Sequence, residues 1–589
     1  MTYRAPVSDI ALALKHGAGF KRALDEGVYG DLAEDVVDAV LEEAGRFATE
    51  VISPLNVIGD RQGVTFKGGA ITTAPGWKEA YRAWAAAGWN GLAAPEQWGG
   101  QALPQAVNFA CLEMWNAASM AFGLAPLLTI GTIDAIAAHG SDALQKTYLP
   151  KLVSGEWTGT MQLTEPHAGS DVGALRTRAE RAADGSYRLT GQKIFITYGE
   201  HDMADNIVHL VLARLTDAPA GTRGISLFVV PKFLPAADGS PGVRNDIRVH
   251  SIEHKMGIHG SPTCTMVLGD QGGAVGYLVG EENRGLNCMF TMMNQARLAV
   301  GLQGVGVAER ATQQAMAYAR ERRQGRAAGQ KDGMSPIIAH PDVKRMLLTM
   351  RALTAAARTI CYATAVEIDR AHRSGDAGAA THGRASLLTP VAKAFGSDVG
   401  CEVASLGVQV HGGMGYIEET GAAQHMRDAR IAAIYEGTNG IQAIDLVTRK
   451  LPLDGGGLVR AYVAELRKTA AAVNAANDPA FGATGARLTD AIDALDRTTE
   501  WLLKDPQSQA ALAGATPYLR LFGLAAGGAM LAEEALAALR MAGGDAGPGA
   551  ARVALARFFA ENVAVAAGGL ERTVIDGADS VNAAEAALG

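Results

Sequence analysis

Met161-Gln162-Leu163-Thr164-Glu165-Pro166-His167-Ala168-Gly169-Ser170-Asp171 decides how the rest of this chain is read. Taken locally, it is a strand running into a turn, with Asp171 as an Asx cap. Taken chemically, its hydroxyls and backbone N–H groups form a cradle for a polar ligand, and Gly169 permits close backbone approach. About 25 residues on, at strand spacing, comes Gly191-Gln192-Lys193-Ile194-Phe195-Ile196-Thr197. Phe195 and Thr197 alternate with Ile194 and Ile196, so they share one face of a strand. An aromatic in such a place is ordinarily core.

A third stretch is Ile434-Tyr435-Glu436-Gly437-Thr438-Asn439-Gly440-Ile441-Gln442. It sets one carboxylate at a glycine-loosened turn just before a helix. Thr438 or Asn439 caps that helix, and Ile441, Ile444, Leu446 and Val447 give it an apolar face. A carboxylate so placed can project from rigid backbone into a cleft, as a general base must. The plainer alternative is a surface residue stabilised by the helix dipole.

Together the three stretches resemble the acyl-CoA dehydrogenase family. Its TEPxAGSD loop, its K-x-W/F-I-T strand and its IYEGT motif all occur, in order and at the family's spacing. The resemblance implies a mainly α fold with a central β domain: a helical domain, a small antiparallel β-barrel domain and a four-helix bundle. It also implies FAD as cofactor, an acyl-CoA substrate and electron-transfer flavoprotein as electron acceptor. Leu163, Thr164, Gly169 and Ser170 would contact FAD, Ser170 also reaching the CoA portion. Phe195 would stack on the flavin, Thr197 would hydrogen-bond its N5, and Thr438 would join the cofactor contacts. Glu436 would be the base, its backbone N–H helping to hold the thioester carbonyl, with Tyr435 and Gly437 beside the substrate. Arg297 would steer that carboxylate and meet substrate, or else pair with an acid in the interior. Gln409, Gly412 and Gly413 would approach the adenosine half of FAD bound by a neighbouring subunit. Arg322 would meet the pyrophosphate across the same interface through paired N–H bonds, so the expected assembly is a homodimer.

Several positions depart from the family pattern. Phe195 stands where Trp is commoner, Gly325-Arg326 replace an aromatic, and Gly440 replaces a position that is often polar. A subset of the family carries its base immediately before Arg297. Ala296 occupies that place here, so the choice falls on Glu436. Gly301, Gly304 and Gly306 follow no strand and read as helix-packing positions rather than a dinucleotide loop. His411 beside two glycines reads as structural. Met289, Met292 and Met293 lie at helical spacing, either as ordinary core or as a thioether lining for a sulfur-containing acyl chain. Other readings on the same fold are an acyl-CoA oxidase, a flavin monooxygenase, which needs no base at 436, and a catalytically silent subunit.

Composition narrows the classes further. The 589 residues are 48% hydrophobic with a net charge of −8, and no basic run could track a nucleic-acid backbone. Five scattered cysteines suit neither a disulfide framework nor a zinc site, and the histidines lack ligand spacing, so no metal is expected. The N-terminus has no signal- or transit-peptide pattern, and no long charge-free apolar run stands out. The expectation is a cytoplasmic protein without a membrane span.

The hydrophobic period divides the chain into a helical domain over 1–158, a β domain over 159–282, a helical domain carrying the base over 283–452 and a helical extension over 458–589. Strands are expected at Tyr187–Thr190, Lys193–Tyr198, Ile207–Ala213, Ile225–Val230 and Ile247–Ile252, with turns at Asp184-Gly185 and Asp238-Gly239. Residues 453–458 read as a flexible linker. Breaks near 477–479, 514–517 and 543–548 suggest four helices in the extension. That extension resembles the extended bacterial subgroup that includes the 3-methylmercaptopropionyl-CoA dehydrogenases and some broad-range acyl-CoA dehydrogenases. It carries 11 Lys and Arg against 15 Asp and Glu, a balance suited to packing back on the core rather than to an anionic bilayer.

Overall fold

Strand periodicity after residue 156 builds an eight-stranded sheet in the computed structural model, which describes residues 3–373, 378–541 and 548–589. Its strands are β1 (Trp157–Gln162), β2 (Arg178–Arg181), β3 (Tyr187–Thr197), β4 (Asn206–Leu215), β5 (Ile225–Pro231), β6 (Ile247–Ile252), β7 (Thr263–Leu268) and β8 (Ala274–Val279). Neighbours β2, β3, β8, β5 and β4 pair in turn, and β4 pairs back to β2, closing a small barrel. β1 adds to β4, while β7 and then β6 extend from β3. Leu189, Val211, Phe228, Val230, Val249 and Met266 fill the core beneath.

The barrel is not wholly antiparallel, as the sequence reading has it. β2 and β1 both run parallel to β4. Closure explains the first of these, because a ring with an odd number of strands cannot alternate direction throughout. The two strands expected at 187–190 and 193–198 are one continuous β3, and four strands (β1, β2, β7 and β8) have no counterpart among those expected.

The chain forms two compact units. One comprises Phe47–Pro104 and Ala118–Ala296; the other comprises Met1–Arg46, Gln105–Ala117 and Arg297–Gly589. The first holds the barrel together with helices such as Met120–His139, which Ser119 caps by accepting from Phe122 N–H.

The second unit is built on long helices. These are α1 (Gln105–Ala118), α2 (Gly285–Glu321), α3 (Pro341–Arg373) and α4 (Gly378–His411), then the short α5 (Asn439–Asp445) and the long α6 (Gln509–Met541) of the extension. Helices α2 and α4 meet backbone to backbone: a Cβ on Gly301 would lie 2.4 Å from the Ala392 carbonyl, and one on Gly304 2.2 Å from that of Gly396. The glycines are therefore packing positions. Buried Arg358 of α3 ties Glu113 of α1 to Glu309 of α2, at 2.7 and 2.9 Å. The extension lies on this bundle, Gly523 facing the Phe395 ring and Gly527 facing Ala356.

Three expectations for the C-terminal part need correction. Residues Leu453–Gly456 form an ordered left-handed turn, with Asp454 at φ 51° and Gly455 at φ 59°, rather than a flexible linker. Pro517 sits inside α6, because the helix break falls earlier, between Lys504 and Gln509. The break expected over 543–548 lies largely outside the described residues. The expectation that no segment could span a membrane also fails by length and composition. Met120–His139, Gln509–Met541 and Gly549–Asp576 are all long and apolar enough, with 89%, 94% and 39% of their apolar windows buried inside the protein. A helix enclosed on every side by protein is as apolar as one enclosed by lipid, so composition alone does not separate the two.

Candidate active site

The turn before α5 is fastened on every side of Glu436. Glu436 itself takes φ 56° and Gly437 φ 78°. A non-glycine residue in that region carries strain of order 1–3 kcal/mol, held only where the surroundings over-determine it. They do so here. The Tyr435 hydroxyl donates to Gln303, whose amide donates to Asn116 at 3.3 Å. The Gln442 amide reaches the carbonyls of Glu436 and Gly437, each at 3.5 Å. Thr438 caps α5, its Oγ1 accepting from Ile441 N–H at 3.3 Å, which leaves the hydroxyl proton free to donate elsewhere. Asn439 is bonded to Lys393, Ser397 and Asp398 of α4.

The inward face of α5 differs from the amphipathic expectation. Leu446 and Val447 are buried, yet Ile444 is 38% exposed while Gln442 and Asp445 are inside. The Gln442 amide turns in to brace the Glu436 turn, and Asp445 is paired with Arg449 at 2.5 Å. Polar bracing, not an apolar stripe, sets the rotation of this short helix.

Partial burial pushes the Glu436 carboxyl up to about 7, and the positive charges of Arg297 and Lys393 pull the other way without cancelling it. Burial lowers the Arg297 guanidinium, and the facing Glu436 opposes that shift. Ala296 is buried and carries no carboxylate. The group that results is a proton acceptor poised near neutrality, as proton abstraction from carbon requires.

The barrel unit presents a different surface. Two residues of β3, Ile194 and Phe195, oppose one of β7, Thr265, in a bulge. At this bulge Phe195 takes φ 60° and stands 59% exposed, with Thr197 on the same side and Ile196 buried. The bulge breaks strict alternation: Lys193 points inward, so Ile194 and Phe195 both lie off the core face. The 161–171 loop is tied to this strand. Ile194 N–H donates to the Thr164 carbonyl at 2.9 Å, and Lys193 Nζ donates to the Leu163 carbonyl at 2.9 Å and to Glu165 Oε1 at 2.8 Å. Glu165 also accepts from Arg176 N–H, Thr177 N–H and the Thr177 hydroxyl. Gly169 and Ser170 are exposed, and a Cβ on Gly169 would meet nothing within 4 Å.

At the far end of α2, Tyr318 stacks on His411 with centroids 4.5 Å apart, and His411 Nδ1 binds the Gly407 carbonyl at 2.7 Å. This contact lies between Arg322 and the segment around buried His411; Arg322, Gln409, Gly412 and Gly413 are exposed.

Family models match along most of the chain. Those of the acyl-CoA dehydrogenase N-terminal, middle and C-terminal domains match residues 35–156, 160–271 and 283–451. An acetyl-CoA dehydrogenase C-terminal-like model matches 462–585. A 3-methylmercaptopropionyl-CoA dehydrogenase of Ruegeria pomeroyi is 46% identical over 99% of both chains. The chain belongs to the acyl-CoA dehydrogenase family. A butyryl-CoA dehydrogenase of Syntrophomonas wolfei is 34% identical over 95% of both chains. The fold matches an acyl-CoA dehydrogenase of Bacillus anthracis solved with FAD, with TM-score 0.74 and 22% identity over 95% of this chain and 91% of that one.

The acyl-CoA dehydrogenase family uses FAD, and the barrel surface fits such a group. An exposed aromatic, hydroxyls at Thr164 and Thr197 and an open backbone at Gly169 suit a flat ring with a polar rim. Four residues escape a reading for catalytic side chains: Glu165 and Lys193, which pin the loop in the barrel unit, and Lys393 and Gln303, which pin the turn in the helical unit. The available signal is a charged or amide residue inside an apolar run, as in Lys193-Ile194-Phe195-Ile196 and Val391-Ala392-Lys393-Ala394-Phe395. Met289 and Met292 are buried, Met292 against Gly131, as core residues would be.

Proposed function

We propose that this acyl-CoA dehydrogenase removes the α- and β-hydrogens of a short acyl-CoA thioester, with Glu436 as the base. The observation that carries the reading is a carboxylate raised to about 7 at a strained turn that Tyr435, Gln442 and Asn439 brace. Bound FAD supplies the acceptor for the β-hydrogen, taken as hydride. The α-proton goes to the Glu436 carboxylate, the α-C–H electron pair becomes the new π bond, and the β-C–H pair leaves with the hydride, giving the trans-2-enoyl thioester. The Glu436 N–H is directed at the thioester carbonyl, where charge builds as the α-proton leaves. Arg297 opposes protonation of the base until substrate is in place.

Leu163, Thr164, Gly169, Ser170, Phe195, Thr197 and Thr438 serve as cofactor contacts, while Ser170, Tyr435, Gly437 and Arg297 border the substrate. Electrons pass to an electron-transfer flavoprotein in the cytoplasm. Arg322, Gln409, Gly412 and Gly413 serve the cofactor of a second subunit in a homodimer, so Arg322→Ala should weaken FAD retention and subunit association together.

The leading substrate is 3-methylthiopropionyl-CoA, with butyryl-CoA next, in the order of the two relatives' similarity. Dye-coupled dehydrogenation of an acyl-CoA series of graded length, with 3-methylthiopropionyl-CoA included, tests this. Highest kcat/KM on a chain of twelve or more carbons would refute the short-chain assignment. Oxygen uptake without dye at a comparable rate would instead favour an oxidase.

A further inference from the structure

Lys393 is a fully buried lysine that the reaction described above does not use. Among the described residues it makes no ion pair at contact distance; its ammonium donates to the neutral amide oxygen of Asn439 at 2.7 Å. The Asn439 amide in turn donates to the Ser397 hydroxyl at 3.0 Å and to Asp398 at 2.7 Å. Asn439 is the first residue of α5, three positions after Glu436 and directly after the Thr438 cap. Lys393 is one residue past Ala392, whose carbonyl is the contact for Gly301, so the backbone packing of α2 against α4 fixes its height.

We propose that Lys393 is a positioning residue for the base: it holds the Glu436 turn through Asn439 and supplies a buried positive charge that keeps Glu436 ionised until it takes the α-proton. An unpaired ammonium is costly to bury, and a neutral amide does not offset that cost. The negative charges that favour the ammonium are those of Glu436 first and Asp398 second. Burial brings Lys393 down to about 8, so it remains charged at neutral pH. The other groups facing this region are Arg297 from α2, Tyr435 beside the base, Cys401 and Asp398 from α4, and Asp445 with Arg449 behind Arg297. Arg297 and Lys393 are the two cations that lower Glu436. Asn439 keeps the lysine from collapsing onto the base, because a direct ion pair would quench both charges.

The inference rests on Glu436 being the base, and the experiment separates the two. The FAD-loaded enzyme and its Lys393→Met, Lys393→Gln and Lys393→Arg variants are mixed anaerobically with butyryl-CoA, and the rate of flavin reduction is followed from pH 5.5 to 9. In Lys393→Met the acid limb should move up by about one pH unit or more, so the rate at pH 6 falls roughly tenfold and recovers by pH 9. Lys393→Gln retains a donor for Asn439 without the charge, and should show the same shift even if the Met variant fails to fold. Lys393→Arg should return the limb toward its original position. A folded, FAD-replete Met or Gln variant with an unmoved limb overturns the proposal, as does an Arg variant shifted as far as Gln. Glu436→Gln, run alongside, should be slow at every pH; if it is fast, the base assignment has failed instead.

Discussion

Two motif glutamates, one in each compact unit, have opposite electrostatics. Glu165 in the barrel unit is 3% exposed. Burial opposes its ionisation, but the Lys193 ammonium and the hydrogen bonds from Thr177 and Arg176 outweigh that and hold it below the usual carboxylate range. Glu436 in the helical unit is raised by burial to about 7, and the charges of Arg297 and Lys393 lower it without cancelling that rise. Contact separates the two. A carboxylate whose oxygens are filled by donors is a permanent anion and a structural anchor. A carboxylate faced by charges at a distance keeps its lone pairs available for a proton.

The largest expected effect breaks the functional half of that contrast. Glu436→Gln should retain FAD and bind acyl-CoA while losing at least about 10²–10⁴ in turnover, the usual worth of a general base. Stopped-flow flavin reduction checks it, and near-normal rates in folded protein would remove Glu436 from the mechanism.

Next comes the structural half. Glu165→Gln leaves Lys193 buried without its carboxylate partner, a change of the kind that costs about 3–5 kcal/mol. Urea denaturation should show a loss of that order together with poorer FAD retention. A stable, FAD-replete variant would mean that the 161–171 loop is held by something else.

The pH dependence of stability sharpens the comparison, because the two signs differ. The lowered pKa of Glu165 gives stability that is present above the ordinary carboxylate range and is lost as pH falls through its depressed value. The raised pKa of Glu436 gives stability that is present below that range and is lost as pH climbs through about 7. Glu436→Gln should therefore gain on the wild type between pH 5 and pH 8. Glu165→Gln should lag the wild type by a constant margin across that window and converge with it only as pH falls below the ordinary carboxylate range. Melting temperatures at pH 3, 5 and 8 decide it; a Glu436→Gln curve parallel to the wild type between pH 5 and 8, or a Glu165→Gln curve parallel to it between pH 5 and 3, would contradict the respective assignment.

The smallest effect concerns the turn itself. Thr438→Ala removes the cap bond to Ile441 N–H and should cost about 1 kcal/mol. The kinetic consequence should be modest, since Asn439, Tyr435 and Gln442 still hold the turn. A loss of turnover comparable to that of Glu436→Gln would make the Thr438 hydroxyl itself part of the chemistry.

Much of this molecule is legible along the chain. The change from helical to strand period, the three motif stretches and the helix-packing role of Gly301 and Gly304 all follow from local spacing, because local spacing is what residue type controls. The expectation that Glu436 is the base comes from the family resemblance of its motif, since a glutamate before a helix is as readily a surface residue stabilised by the dipole. What tertiary structure decided is which charges have partners. The sequence has nothing at position 165 to show that Lys193 will reach its carboxylate, and nothing near 436 to show that Lys393 will donate to Asn439. Closure of an odd-numbered barrel, the bulge that turns Phe195 outward and the polar bracing that rotates α5 are likewise settled between segments distant in sequence. Desolvation and contact are properties of the folded interior, so the pKa values on which the chemistry depends exist only once the fold has formed.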